Sequence, residues 1–228
     1  ILDADPPQSI DVTVPGGKPK DALNEAKEIL KFNESLFGPF PYKTLYVAQM
    51  SPGLGFGQAP PGFVQLTGEA FMSSATIAAA NPTANADFFH EFFAHEISHQ
   101  WWGHVIKWVS DEDVWLSESY AEYSAGLYVM QLLGQNRFQG KLKEWKVEAR
   151  LADPHAPIAW ANNVAGPNSV AWRTGLIYNQ GPYVVHMLRM QVGHENFVKA
   201  MKNLTTKYSH QMITTDQLSQ EFGLVVGY

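Results

Sequence analysis

The stretch Ala94-His95-Glu96-Ile97-Ser98-His99-Gln100-Trp101-Trp102-Gly103 decides the reading of this chain, together with Trp115-Leu116-Ser117-Glu118-Ser119-Tyr120 shortly after it. On a helix, His95 and His99 are four residues apart and project from nearly the same face, one turn above the other. Two imidazoles so placed can grip a single zinc ion, and a carboxylate from elsewhere, here Glu118, completes a three-ligand site with an open position. Glu96 points about 100° away from His95 around the helix axis and so flanks the metal rather than capping it. A general base must sit there to take a proton from a water polarised by the metal.

The flanks separate this reading from a chance match, because H-E-x-x-H alone recurs without a metal. Phe88, Phe89, Phe92, Phe93, Ile97, Trp101 and Trp102 make the element apolar on most sides, as expected of a buried helix. Two histidines and a glutamate buried among so many aromatics are costly unless something satisfies them, and a cation does.

Composition fits one sizeable globular unit. The chain has 228 residues, 45% of them hydrophobic and 17% charged, enough for one large domain or two small lobes around a cleft. A net charge of −6 with no long basic run argues against a nucleic-acid partner. There is no cysteine, which excludes disulfides and thiolate metal ligands but leaves the compartment open. No apolar run reaches the length of a membrane span and no signal peptide is visible, so no membrane contact is expected within this segment. The chain begins at Ile1 and reads as a piece of a longer protein, so a leader or anchor outside it stays open.

Along the chain, Ile10 to Val14 alternates like a strand, and Asp21 to Phe37 has helical periodicity ended by Gly38-Pro39. Leu45 to Met50 and Gly62 to Thr67 read as strands, separated by a Gly- and Pro-rich shaped loop. The metal helix is expected over Asp87 to Trp108 and a second helix over Ser117 to Leu133. Arg137 to Leu151 is a further helix, and Asp153 to Asn168 a long irregular connection. Helices near residues 181–192, 194–208 and 215–222 complete the pattern. Strands early and helices late give an α+β fold, a small sheet lobe facing a helical lobe with the metal at the floor of the cleft.

The segments His95 to Trp108 and Trp115 to Tyr123 resemble the zinc signature of the aminopeptidase N family of gluzincin metallopeptidases, with its H-E-x-x-H, eighteen residues and Glu. The same interval separates His99 and Glu118 here. Asn33 to Tyr42 is similar to the family segment leading into the sheet lobe, and Ile177 to Leu188 to its Y-x-K-G-A helix start. The resemblance implies a thermolysin-like catalytic domain over residues 21–228, with 1–20 a linker or strand remnant of an amino-terminal β domain and further domains in the full-length chain. It implies one zinc ion held by His95, His99 and Glu118, Glu96 as the base, and Tyr178 as the hydroxyl that stabilises an oxyanion. A phenol near a cation in a dry cleft is independently suited to that role, although an aromatic packing at a helix start is the bland reading.

One departure bears on specificity. The family carries Gly-x-Met-Glu-Asn on a strand facing the substrate, whose glutamate binds the free α-amine. Aligning Pro61-Gly62 with the residues that follow that motif puts Phe56-Gly57-Gln58-Ala59-Pro60 in its place and Ala59 where the glutamate would be. Glu69 or Gln58 could substitute, though neither lies where the motif predicts. Smaller departures are Ser117 for Asn, Ser119 for Gly and Gln180 for Lys. Glu122, one turn after Glu118, is placed to accept a hydrogen bond from a liganding histidine or to be a solvated carboxylate. The remaining histidines are expected to be packing or surface residues, with His155 in the long irregular loop where it could touch substrate, and Trp101, Trp102 and Trp108 are expected to be core rather than a recognition platform.

The expected activity is zinc-dependent hydrolysis of a peptide substrate, aminopeptidase-like but without the amine anchor, so that exopeptidase and endopeptidase action both stay open. The alternative is a catalytically weak scaffold or binding module of a larger protein.

Overall fold

The computed structural model describes residues 9–13, 19–51, 56–71 and 88–227, with side chains from Asp21 onward in those segments other than that of Phe88. Strand β1 (Ser9–Thr13) leads through helix α1 (Pro19–Phe37) to β2 (Thr44–Gln49) and then β3 (Phe63–Leu66). The three pair in parallel in the order β1-β2-β3. Ala26, Ile29, Leu30 and Phe37 of α1 are buried against this sheet and the helical lobe, which the 3.6-residue spacing of those positions dictates. On the far edge of β3, Gln58 makes an antiparallel bridge to Gln65, with N···O distances of 2.9 and 2.7 Å. Residues 56–60 thus run along the sheet edge beside the metal helix.

The helical lobe comprises α2 (Phe88–Ser98), α3 (Trp115–Leu133), α4 (Gln135–Ala152), α5 (Ser169–Thr174), α6 (Gly181–Val192), α7 (His194–Lys207) and α8 (Thr215–Val226). Its core is aromatic: Trp101, Trp102, Tyr120, Tyr123, Phe138, Trp145 and Phe197 are almost fully buried. Helix α3 is the central element, buried on most sides, and packs against α2, α4 and α6. Among the described residues no helix is long and apolar enough to cross a membrane.

Three expectations need correction. The metal helix does not run to Trp108. It ends at Ser98, because Trp101 and Trp102 both donate to the Ser98 carbonyl and Gly103 adopts φ +118°, a left-handed conformation that suits glycine. Ile106–Trp108 instead form strand β4, paired in parallel with β5 (Gln211–Ile213). The second helix begins at Trp115, a turn-boundary difference of two residues. The helix bearing Tyr178 does not start at Gly181 but continues from α5 through a π-helical segment, Gly175–Gln180. Asp153 to Asn168 is irregular except for a 3₁₀ turn at Ile158–Asn163. Val14, Asp87 and the centre of the Gly/Pro-rich loop lie outside the described residues.

The long-range ties of α3 explain why Glu118 is held in place. Asp113, just before α3, accepts from the Thr215 backbone N–H at 2.8 Å, and Trp115 Nε1 donates to Thr215 Oγ1 at 3.0 Å. Thr215 opens α8, whose start is fixed by a capping box between Thr214 and Gln217. The far end of the chain therefore anchors the helix that carries Glu118.

Candidate active site

Helices α2 and α3 bring His95, His99 and Glu118 together. His99 lies just past the end of α2, yet its N–H still donates to the His95 carbonyl at 3.3 Å, which keeps the two rings one turn apart. The two Nε2 atoms are 3.1 Å apart, and each is 3.4 Å from Glu118 Oε2. All three ligand atoms lie within 4.8 Å of one another.

The other ring nitrogens decide the chemistry of this cluster. His99 Nδ1 is 2.9 Å from the Trp102 carbonyl, which can only accept, so Nδ1 carries the proton and Nε2 of the neutral ring is a bare lone pair. His95 Nδ1 is 3.0 Å from Glu122 Oε2, a carboxylate, with the same consequence. Two lone pairs and a carboxylate oxygen thus face one another across about 3 Å, an arrangement that repels unless a cation or proton sits between. Protein electrostatics point the same way. Burial alone would lower the His95 pKa, but Glu118 and Glu122 outweigh it and hold it well above the ordinary range. Burial likewise opposes ionisation of Glu118, and bonds to His95 and His99 outweigh it, holding that carboxyl far below its usual value. The donor set, two imidazoles and one carboxylate with no thiolate, fits zinc.

Glu122 is anchored by three partners. Oε2 holds His95, while Oε1 receives Lys141 Nζ at 3.1 Å and Trp145 Nε1 at 3.3 Å, both from α4. Burial would push its pKa up, but Lys141 and His95 prevail and bring it down to about 2. Lys141 is itself buried and also pairs with Glu91, one turn before His95. Helix α3 approaches α4 closely at Gly126, where a β-carbon would lie 2.6 Å from the Trp145 ring. Glu122 is therefore a partly buried hydrogen-bonding partner, not a solvated helix carboxylate.

Glu96 is buried beside the cluster, and burial pushes its carboxyl pKa up, against the pull of His95 and His99. Directly across from it runs the backbone of Gly57. Tyr178 approaches from the π-helical segment. Its ring stacks on His95 at 6.1 Å between centroids, and its hydroxyl faces Glu118. Burial, reinforced by Glu118, raises the phenol pKa well above its usual value, so it stays a protonated donor.

These residues line one cleft of about 900 Å³ with Phe56 to Pro60, Phe92 and Trp108. Trp101 and Trp102 are core residues as expected, whereas Trp108 is half-buried on the cleft wall. His104 also lines the cleft. Its Nε2 donates to the Ala59 carbonyl at 2.6 Å, and burial lowers its pKa. The sequence offered no signal for His104 or Lys141, since neither lies at a motif spacing. Side chains along an extended strand alternate, and Gly57 faces Glu96, so Ala59 shares that face while Gln58 starts from the other. Glu69 sits in a 3₁₀ turn at Gly68–Phe71, bonded to Thr67, and is not among the cleft-lining residues. His90 pairs with Glu25 at 2.7 Å, and His155 stacks on Trp172 at 3.9 Å. Neither touches the cluster.

Residues 21–227 match the model of the peptidase family M1 domain. The chain belongs to peptidase family M1. Among curated M1 relatives, a probable aminopeptidase 1 of Saccharolobus solfataricus is 25% identical over 221 residues, which cover 89% of this chain and 26% of that protein. A leucyl aminopeptidase of the same organism is 25% identical over 230 residues, 97% of this chain and 28% of its own length. The chain thus spans about a quarter of the length of these relatives. The fold is shared with an M1 zinc metallopeptidase from Deinococcus radiodurans, at TM-score 0.65 and 20% identity over 90% of this chain and 41% of that one. It is shared too with yeast LTA4 hydrolase, at TM-score 0.74 and 15% identity over 99% of this chain and 36% of the other. The family is that of the zinc metallopeptidases suggested by the motif, and the α+β catalytic architecture agrees with it.

Proposed function

We propose that this M1 domain hydrolyses peptide bonds with the catalytic set of an aminopeptidase but without its amine anchor, using one zinc ion held by His95, His99 and Glu118. The observation that carries the reading is the convergence of two bare imidazole nitrogens and a carboxylate oxygen, with both histidine tautomers fixed from behind by Glu122 and the Trp102 carbonyl. Bound there, zinc would supply Lewis acidity toward a water and a substrate carbonyl. Glu96 takes the proton from the attacking water and delivers it to the leaving amine, and its raised pKa suits both halves of that exchange. Tyr178 donates its hydroxyl proton to the oxygen that becomes negative as the carbonyl carbon turns tetrahedral. Residues 56–60 form the cleft edge along which an extended peptide can lie, and Phe56, Phe92 and Trp108 exclude water around it.

Nothing ionic stands at position 59 to hold a free α-amine, since the side chain there is the methyl of Ala59. Selectivity for unblocked peptides is accordingly expected to be weak. Residues 21–228 are proposed to act as the catalytic unit of a longer chain, with residues 1–20 as a connecting segment.

The test is hydrolysis of one peptide in unblocked and amino-acetylated forms by zinc-loaded protein, beside Glu96→Gln and Tyr178→Phe. Comparable cleavage of both forms, abolished in E96Q and reduced about 10²–10³-fold in kcat by Y178F, is expected. Zinc bound with turnover of neither form would overturn the proposal in favour of a scaffold.

A further inference from the structure

We propose that Ser119 is a positioning residue for Tyr178, its hydroxyl standing in for a backbone N–H that Pro182 cannot supply. The inference rests on the role proposed for Tyr178.

Gly175–Gln180 is π-helical, and the Gly181 N–H accordingly donates to the carbonyl of Leu176, five residues back. In the same register residue 182 would donate to Ile177. Residue 182 is proline and has no N–H. Ile177 is fully buried, so its carbonyl has no water to turn to. Ser119 Oγ lies 2.6 Å from that carbonyl oxygen and donates to it across two elements. Ser119 is itself fully buried, and its hydroxyl fills a space that Gly181 keeps open, because a β-carbon at 181 would stand 1.9 Å from Oγ.

The position of this bond in the chain gives it a function. Ser119 directly follows Glu118, and Ile177 directly precedes Tyr178. One hydrogen bond therefore ties the backbone beside the tyrosine to the helix that presents the metal-ligating carboxylate. A π turn carries one residue more than an α turn, and that extra residue rotates the side chains on one side of it by about 100°. Whether the segment holds its π register decides whether the Tyr178 hydroxyl faces Glu118. Ser119 stabilises the carbonyl that the π turn and Pro182 together leave without a backbone donor.

The experiment compares Ser119→Ala in three backgrounds: the wild-type chain, Pro182→Ala and Tyr178→Phe. In the wild-type background, S119A is expected to lower kcat about tenfold or more with KM changed less than about twofold, since a misplacement near 1 Å suffices for such a loss. The loss should shrink with P182A, which restores a backbone donor, and vanish with Y178F, where no hydroxyl is left to aim. Urea unfolding of the metal-free variants gives an independent readout: S119A should lower the midpoint more in the wild-type than in the P182A background. An unchanged kcat in S119A, or equal losses in the wild-type and P182A backgrounds, would overturn the proposal. Wild-type turnover in Y178F would remove the role of Tyr178 and the proposal with it. The unfolding cycle would then still report on the Ser119–Pro182 exchange alone, so the two failures are distinguishable.

Discussion

Gly57 passes so close to Glu96 that a β-carbon at position 57 would lie 2.3 Å from Oε1 and 2.4 Å from Cδ of the carboxylate. The substrate-side strand thus touches the residue proposed as the base, and no side chain fits between them. Gly57→Ala should push the Glu96 carboxylate aside. The obstructing atoms are the far end of a flexible side chain, so the fold should survive while the base is displaced. Steady-state kinetics should show kcat/KM falling by on the order of 10²-fold, with a thermal midpoint near that of the wild type. An active G57A enzyme would mean that Glu96 does not work from this position.

A second prediction concerns acid stability. Glu122 titrates at about 2 in the fold against a reference value of 4.5. Between those values the unfolded chain binds more protons at this site, so stability rises with pH across the window. The contribution is fully present above about 4.5 and is lost as pH falls through about 2. Glu91, raised chiefly by burial, contributes with the opposite sign. The difference between wild type and Glu122→Gln isolates the Glu122 part. Urea unfolding of metal-free protein between pH 5 and pH 2.5 should show a shallower loss of stability in E122Q. Parallel pH profiles would count against the Lys141–Glu122–His95 linkage.

Lys141→Met should be far more damaging than a surface lysine change. It strips the buried Glu122 and Glu91 carboxylates of their shared cation. Removing one partner of a buried ion pair costs about 3–5 kcal/mol, which denaturant unfolding at neutral pH will read. Weaker zinc retention against a chelator should accompany it, because Glu122 sets the His95 ring.

Gln100, just past the end of α2, joins that helix to the strand opposite. Its Oε1 accepts from the Gly62 N–H at 2.7 Å, and its Nε2 donates to the carbonyls of Ala59 and Pro60, both at 3.2 Å. Gln100→Leu keeps the volume but leaves these groups unpaired, at about 1–3 kcal/mol for each one that water cannot reach. Lower unfolding free energy with a raised KM is the expected pair of results. A rise in KM without any loss of stability would show that the strand is held by other contacts.

His95, His99, Glu96 and Glu118 were legible in the sequence because their positions follow from helical geometry and one long interval, both local properties of the chain. The apolar flanks announced that the helix was buried, and buried it is. The amphipathic periods of α1 and α7 likewise mark their inner faces without reference to any partner. Lys141 and His104 were not legible. Their place at the cleft depends on how α4 packs onto α3, and on how the Gly103 turn redirects the chain after α2. The π register before Gly181 was hidden too, since Pro182 reads locally as a helix start.

The sequence by itself determined the candidate ligand types, their spacing and the burial of the helix that carries His95, because these follow from helical geometry and apolar patterning along the chain. Only the tertiary structure decided which way the His95 imidazole presents its lone pair, which cation neutralises Glu122, and where the Tyr178 hydroxyl points. Those outcomes rest on contacts between residues 19, 27 and 58 positions apart, Lys141 with Glu122, His95 with Glu122 and Ser119 with Ile177, which no local pattern encodes.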